Sequence, residues 1–202
     1  MFALLTITAM TTQALDLAAN GRFHPLNFFS YFTIQSNVIG AVVFLVAALR
    51  WRGPSSPGWE LVRGASALNL TVTYVVFALL LSDTNVDTRL SWVNTVVHGI
   101  FPLAAMADWV VDPPATEVST RGSLSWLVYP LAWLAYTMVR GPIAGWYPYP
   151  FLDPANGGYG TVALYVVAIF VFGLIVATVL RLVGNALRIR RLVPAATGMP
   201  AG

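Results

Sequence analysis

The sequence predicts an all-α integral membrane protein, a bundle of six transmembrane helices with both termini in the cytoplasm. Three observations lead there. Hydrophobic residues make up 57% of the 202 and charged residues only 9%, where a soluble domain carries roughly 25% charged residues; mean hydropathy is +0.72. Several apolar runs reach the length of about 20 residues that a bilayer crossing needs. The arginines fall unevenly on the two sets of loops, which orients the bundle.

Spans are expected near residues 2–20, 27–50, 60–82, 90–111, 122–140 and 160–184. The first could be read as a cleaved signal peptide, with Ala18-Ala19 as the cleavage site. It lacks a positive n-region and carries Thr6, Thr8, Thr11, Thr12, Gln13 and Asp16, so an uncleaved helix with an inward polar face is favoured. The second opens on Phe28 to Asn37, where Thr33, Gln35, Ser36 and Asn37 interrupt an otherwise apolar start. Polar side chains at that depth need partners in a bundle or a wet cavity. Residues 1–192 are expected to form a single transmembrane domain. The stretch 193–202, rich in Pro, Ala and Gly, is expected to be a disordered tail.

Arg50, Arg52, Arg63, Arg121, Arg181, Arg188, Arg190 and Arg191 fall on one side of the membrane, and only Arg22, Arg89 and Arg140 on the other. The positive-inside rule then puts both termini in the cytoplasm. Trp51 and Trp59 suit an aromatic belt at one face, and Trp92, Trp146 and Tyr147 one at the other. The formal charge of +3 comes from arginine alone. Its place at span ends suits lipid head groups, and no nucleic-acid partner is expected. An all-arginine, Ala/Val-rich chain is consistent with a GC-rich bacterium, hence with a bacterial cytoplasmic membrane. There is no cysteine, which excludes disulfides and thiolate chemistry. Neither an HExxH pattern nor a carboxylate–histidine cluster occurs, so neither a metal nor another cofactor is expected. The loop Gly141 to Gly160, with Pro142, Pro148, Pro150 and Pro154, is a rigid outer turn or a lid over a cavity.

Topology then collects the polar groups. Thr33 lies about six residues into span two, roughly 9 Å deep, and His98 about eight residues into span four, roughly 12 Å deep. Both spans enter from the outer face, so the two residues share a depth. Asp16 and Asn20 close span one at that face, and Tyr136 and Arg140 close span five there; Asn69 and Thr73 extend the set inward. Thr33 and Asn37 share one helix face, as do Asn94, His98 and Pro102. Pro102 frees the carbonyl of His98 and is expected to kink the helix. The nearest thing to a nucleophile and base is Thr33 or Ser36 with His98. Ser and Thr in membrane helices usually bond the carbonyl one turn back, and Asn, Gln and His often join helices, so a structural role stays open.

Three blocks of the sequence resemble the androgen-induced-gene family of six-span membrane proteins and its bacterial relatives. They are Tyr31-Phe32-Thr33, then Asn94-Thr95-Val96-Val97-His98 with Pro102, then Trp146-Tyr147-Pro148-Tyr149-Pro150-Phe151-Leu152-Asp153. The resemblance implies a threonine hydrolase that cleaves fatty-acid esters of hydroxy fatty acids, with Thr33 as nucleophile and His98 as base. The animal members carry a second histidine where this chain has Thr95, and the proline after His98 is shifted by one.

The expected function is therefore hydrolysis of a lipid or fatty-acid ester substrate that reaches the site from the membrane. Asn37, Gln35 or Asn94 could donate to the oxyanion. Arg140 could hold a substrate carboxylate at the mouth. Asp16 could orient His98, with Tyr136 in the pocket wall. The alternative is a non-catalytic lipid-binding or transport protein with a polar pocket in the outer half of the bundle.

Overall fold

The computed structural model describes residues 1–50, 55–82 and 90–192. Trp51, Arg52, Arg89 and the 193–202 tail lie outside the described residues. All regular structure within them is helical: α1 (Phe2–Ala19), α2 (Pro25–Phe28), α3 (Phe32–Leu49), α4 (Pro57–Val76), α5 (Ser91–Thr95), α6 (Phe101–Val111), α7 (Thr120–Ser125), α8 (Val128–Ala144) and α9 (Gly158–Leu192). Two π-turns, Phe77–Leu81 after α4 and Val96–Ile100 between α5 and α6, and one 3-10 turn, Pro150–Leu152, complete the set.

Four helical stretches are long and apolar enough to cross a membrane: Phe2–Ala19, Phe32–Leu49, Pro57–Leu81 and Gly158–Arg190. Across the bundle, polar side chains are buried among the core and large apolar ones face outward. Thr6, Thr33, Ser36, Asn37, Ser66, Asn69, Thr73 and His98 are buried, while Leu4, Val42, Leu79, Leu103, Leu164 and Val179 are exposed. Such an outer surface is suited to lipid rather than water. The other two expected spans take a different form. The fourth is divided by a π-turn into pieces of 5, 5 and 11 residues. The fifth is broken at Trp126-Leu127 into α7 and the 17-residue α8.

Local chemistry sets the ends. Gly21, at φ 66°, closes α1. Gly21 N–H reaches Ala18 O at 3.0 Å and Arg22 N–H reaches Leu17 O at 2.8 Å, the paired bonds of a left-handed glycine cap. His24 is extended because a proline follows it, and Pro25 begins α2. The second expected span is not continuous: the chain breaks at Phe29 to Tyr31, and Tyr31 is extended. Thr33 is therefore the second residue of α3, not a residue well inside a longer helix.

The centre of the bundle is α4, which packs against α3, α6 and α9, while α1 lies on α3. Small residues allow the close approaches. A Cβ at Gly40 would stand 2.7 Å from Leu70 Cδ1, and one at Gly64 only 2.0 Å from Trp126 Cζ2. Trp126 is 1% exposed, so its ring has little room to yield. Gly64→Ala is expected to destabilise by about 1–3 kcal/mol, the usual range for overpacking. Thermal unfolding in detergent beside Gly58→Ala checks this, since a Cβ at Gly58 meets nothing within 4 Å.

Candidate active site: a threonine–histidine pair between two chambers

Thr33 Oγ1 lies 3.2 Å from His98 Nε2. Both residues are 7% exposed, so the contact is shielded from bulk solvent. Sequence spacing placed them at one depth; the fold places them in hydrogen-bonding contact.

The position of His98 follows from Pro102. The N–H of Phe101 bonds Val96 O, giving the π-turn in place of an α-turn. In that register the donor for the Val97 carbonyl would be residue 102, and proline has none. Asn37 supplies it: its Nδ2 donates to Val97 O at 3.0 Å and to Thr33 O at 2.8 Å. The expected kink is thus taken up as a π-turn, a device that re-aims side chains at functional sites. Phe77, the first residue of the other π-turn, stacks on the imidazole with centroids 3.9 Å apart and 17° between planes. Stacking fixes the ring plane and leaves Nε2 directed at Thr33.

A residue not singled out for the site in the sequence completes the cluster. Tyr149 Oη lies 3.2 Å from Thr33 Oγ1 and accepts the Thr33 backbone N–H at 3.1 Å. That N–H belongs to the first turn of α3, where backbone donors lack helical acceptors. Tyr149 precedes Pro150, which favours the extended backbone seen (φ −134°, ψ 139°). Its ring stacks on Phe151 at 5.3 Å with 6° between planes, meets Tyr31 edge-on and lies tilted against Trp133. Burial pushes the Tyr149 phenol above its usual range, which keeps it protonated near neutral pH.

Thr33 and Tyr149 form the common wall of two chambers. One lies between α4, α8 and α9, with Leu68, Val72, Leu131, Leu134 and Ile169 in its walls. The other includes His98 and carries Gln13, Arg22, His24 and Asn27. An apolar space and a polar-rimmed one therefore meet at the threonine hydroxyl.

The remaining expected site residues have other partners. Both amide hydrogens of Asn37 are used in joining α3 to the π-turn, so they are not free for an oxyanion. Gln35 donates to Phe29 O at 2.6 Å and accepts from the Tyr129 hydroxyl. Tyr136 Oη lies 2.9 Å from Ser30 Oγ, and Trp133 Nε1 donates to Ser30 O at 2.9 Å. Arg140 donates to Asn27 Oδ1 at 2.6 Å and sits 5.3 Å over the Trp146 ring. Gln35 and these α8 side chains secure the α2–α3 break, where carbonyls lose their helical donors. Asp16 hydrogen-bonds Asn20 in its own helix end and makes no recorded bond to His98. Asn94 lies one turn before His98, its Oδ1 buried without a hydrogen bond. Tyr149 carried one sequence signal: it is the inner residue of a Pro-Tyr-Pro triplet in the most distinctive block.

Compared with known proteins, the chain matches no family model, no curated protein and no solved structure.

Proposed function

We propose that this chain is an intramembrane lipid-ester hydrolase of six spans with cytoplasmic termini, using Thr33 as nucleophile and His98 as general base. The observation that carries the reading is the buried 3.2 Å contact between Thr33 Oγ1 and His98 Nε2. That distance is within hydrogen-bond reach for a nucleophile and its base. Its position between an apolar chamber and a polar-rimmed one suits an ester with two unlike arms. The acyl chain would lie among Leu68, Val72, Leu131 and Ile169, and the alcohol arm toward Arg22, His24 and Asn27. The resemblance to the androgen-induced-gene family supports the same two residues and an ester of a hydroxy fatty acid. A bacterial cytoplasmic membrane is the proposed location.

The reaction balances on these groups. Thr33 Oγ1 attacks the ester carbonyl carbon while its proton passes to His98 Nε2, and the carbonyl electron pair moves onto oxygen. Collapse breaks the bond to the alcohol, which leaves with the proton from His98. Water then attacks the acyl-threonine, gives a proton to His98, and the fatty acid departs as Thr33 recovers its hydrogen. Neutral imidazole in its Nδ1–H tautomer is the form that can accept the first proton.

Turnover of a long-chain hydroxy-fatty-acid ester by purified protein, with covalent labelling by a fluorophosphonate probe, tests the reading. His98→Ala is expected to reduce turnover about 10²–10⁴-fold, the usual contribution of a general base. Saturable binding of the ester without turnover or labelling would instead favour a lipid carrier, for which the apolar chamber would serve equally well.

A further inference from the structure

We infer that the Tyr149 phenol is a third catalytic group, a hydrogen-bond donor to the oxygen on which negative charge gathers. The inference rests on Thr33 and His98 acting as nucleophile and base.

It follows from an inventory of hydrogens. Tyr149 Oη has two recorded partners in Thr33, the backbone N at 3.1 Å and Oγ1 at 3.2 Å. A backbone N–H can only donate, so Tyr149 accepts there, and its single proton is left for Thr33 Oγ1. The Thr33 hydroxyl proton is then directed to His98 Nε2, 3.2 Å away. The result is one directed chain: Thr33 N–H to Tyr149 Oη–H to Thr33 Oγ1–H to His98. His98 Nδ1 is buried without a hydrogen-bond partner in either direction; the reverse one, with imidazole donating to Thr33 and Thr33 to Tyr149, would leave the buried phenol hydrogen without a recorded acceptor as well.

The directed chain has a chemical consequence. As His98 takes the proton, negative charge develops on Oγ1, which already accepts from Tyr149. Once Oγ1 bonds to carbon, the charge passes to the former carbonyl oxygen, attached to that same carbon. The phenol need only shift its hydrogen bond from one oxygen to the other. The start of α3 adds its positive end at the same place. No bond to Tyr149 is made or broken, and its proton returns to the original contact when the intermediate collapses. The ring is held by Phe151, Tyr31 and Trp133, so the donor is fixed before substrate arrives. Asn37, whose hydrogens are already engaged, does not have to supply this donor.

The test is Tyr149→Phe in the full chain, which keeps every ring contact and removes only the hydroxyl. With a hydroxy-fatty-acid ester as probe substrate, kcat is expected to fall about 10²–10³-fold, the loss typical of one oxyanion donor. KM should stay near wild type, while the thermal midpoint should fall by a few degrees because the buried Thr33 N–H loses its acceptor. A kcat near wild type overturns the inference, and so does a loss carried by KM or by unfolding at the assay temperature. Should the phenylalanine variant fail to fold, a fluorinated tyrosine at 149 keeps the shape and makes the phenol more acidic. Activity should then fall away at lower pH than in wild type, because a deprotonated phenol cannot donate; an unchanged alkaline limb overturns the inference. Thr33→Ala separates the two levels. If it is inactive while Tyr149→Phe is fully active, the Thr33–His98 reading stands and the Tyr149 role falls. If Thr33→Ala turns over like wild type, or wild type is inactive, both fall.

Discussion

Thr33→Ala is expected to abolish ester turnover, by a factor on the order of 10⁴–10⁶, the range seen when a nucleophile is removed from an acyl-transfer site. The substitution deletes Oγ1 and one methyl group. It leaves the backbone N–H that Tyr149 accepts and the Thr33 carbonyl that Asn37 caps. The fold should therefore persist, and a thermal midpoint close to wild type is part of the expected result. Fluorophosphonate labelling should disappear with turnover, and in wild type the adduct should map to the peptide containing Thr33. Thr33→Ser keeps a hydroxyl in reach of His98 and should retain activity. It should also be slower than wild type, because loss of the methyl frees the χ1 torsion that aims the oxygen. Unchanged labelling in Thr33→Ala would remove Thr33 as the nucleophile, whatever the distance to His98.

Thr33 and His98 were legible in the sequence because alternating spans fix which helix ends share a membrane face. Depth then follows from 1.5 Å per residue. The face shared by Thr33 and Asn37 was equally legible, but the partner of Asn37 was not. That partner, the Val97 carbonyl, is exposed only because Pro102 is accommodated by a π-turn, and proline alone does not decide between a kink and an added residue. Gln35 reads as a pocket group because residues 27–50 look like one unbroken span, and Tyr136 and Arg140 because they close span five at the same face. The break at Phe29 to Tyr31 creates free carbonyls, and these claim the polar groups of Gln35 and α8. Tyr149 was hidden for a different reason. Flanking prolines say that its backbone is extended, but where the loop folds depends on Phe151, Trp133 and Tyr31 packing around it. Long-range packing of that kind has no periodic signature.

At the opposite end of α3 and α4 from the site, Arg63→Ala is expected to destabilise the protein by about 3–5 kcal/mol, the usual cost of leaving a buried charge without its partner. Arg63 and Glu60 side chains are 7% and 2% exposed. Arg63 donates to Glu60 Oε2 at 3.0 Å, to Asp108 Oδ2 at 3.0 Å and to Asp112 O at 2.7 Å. Glu60 Oε1 in turn accepts from Ser55 Oγ and, at 3.1 Å, from Ala115 N–H. The network ties the start of α4 to the end of α6 and the segment after it. Asp108 and Asp112 are 40% and 57% exposed, so solvent can hydrate them and their loss of a partner contributes little. Glu60 has no such recourse, and most of the destabilisation should come from its stranded carboxylate. This assigns a specific signature. Glu60→Gln in the Arg63→Ala background should recover a large part of the lost thermal stability in detergent, because it removes the charge and keeps the acceptor for Ala115 N–H. Glu60→Gln alone should destabilise, since Arg63 loses its most buried partner. A double variant no more stable than Arg63→Ala would mean that Arg63 acts through its packing on Trp109, 5.8 Å beneath the guanidinium, and not through Glu60.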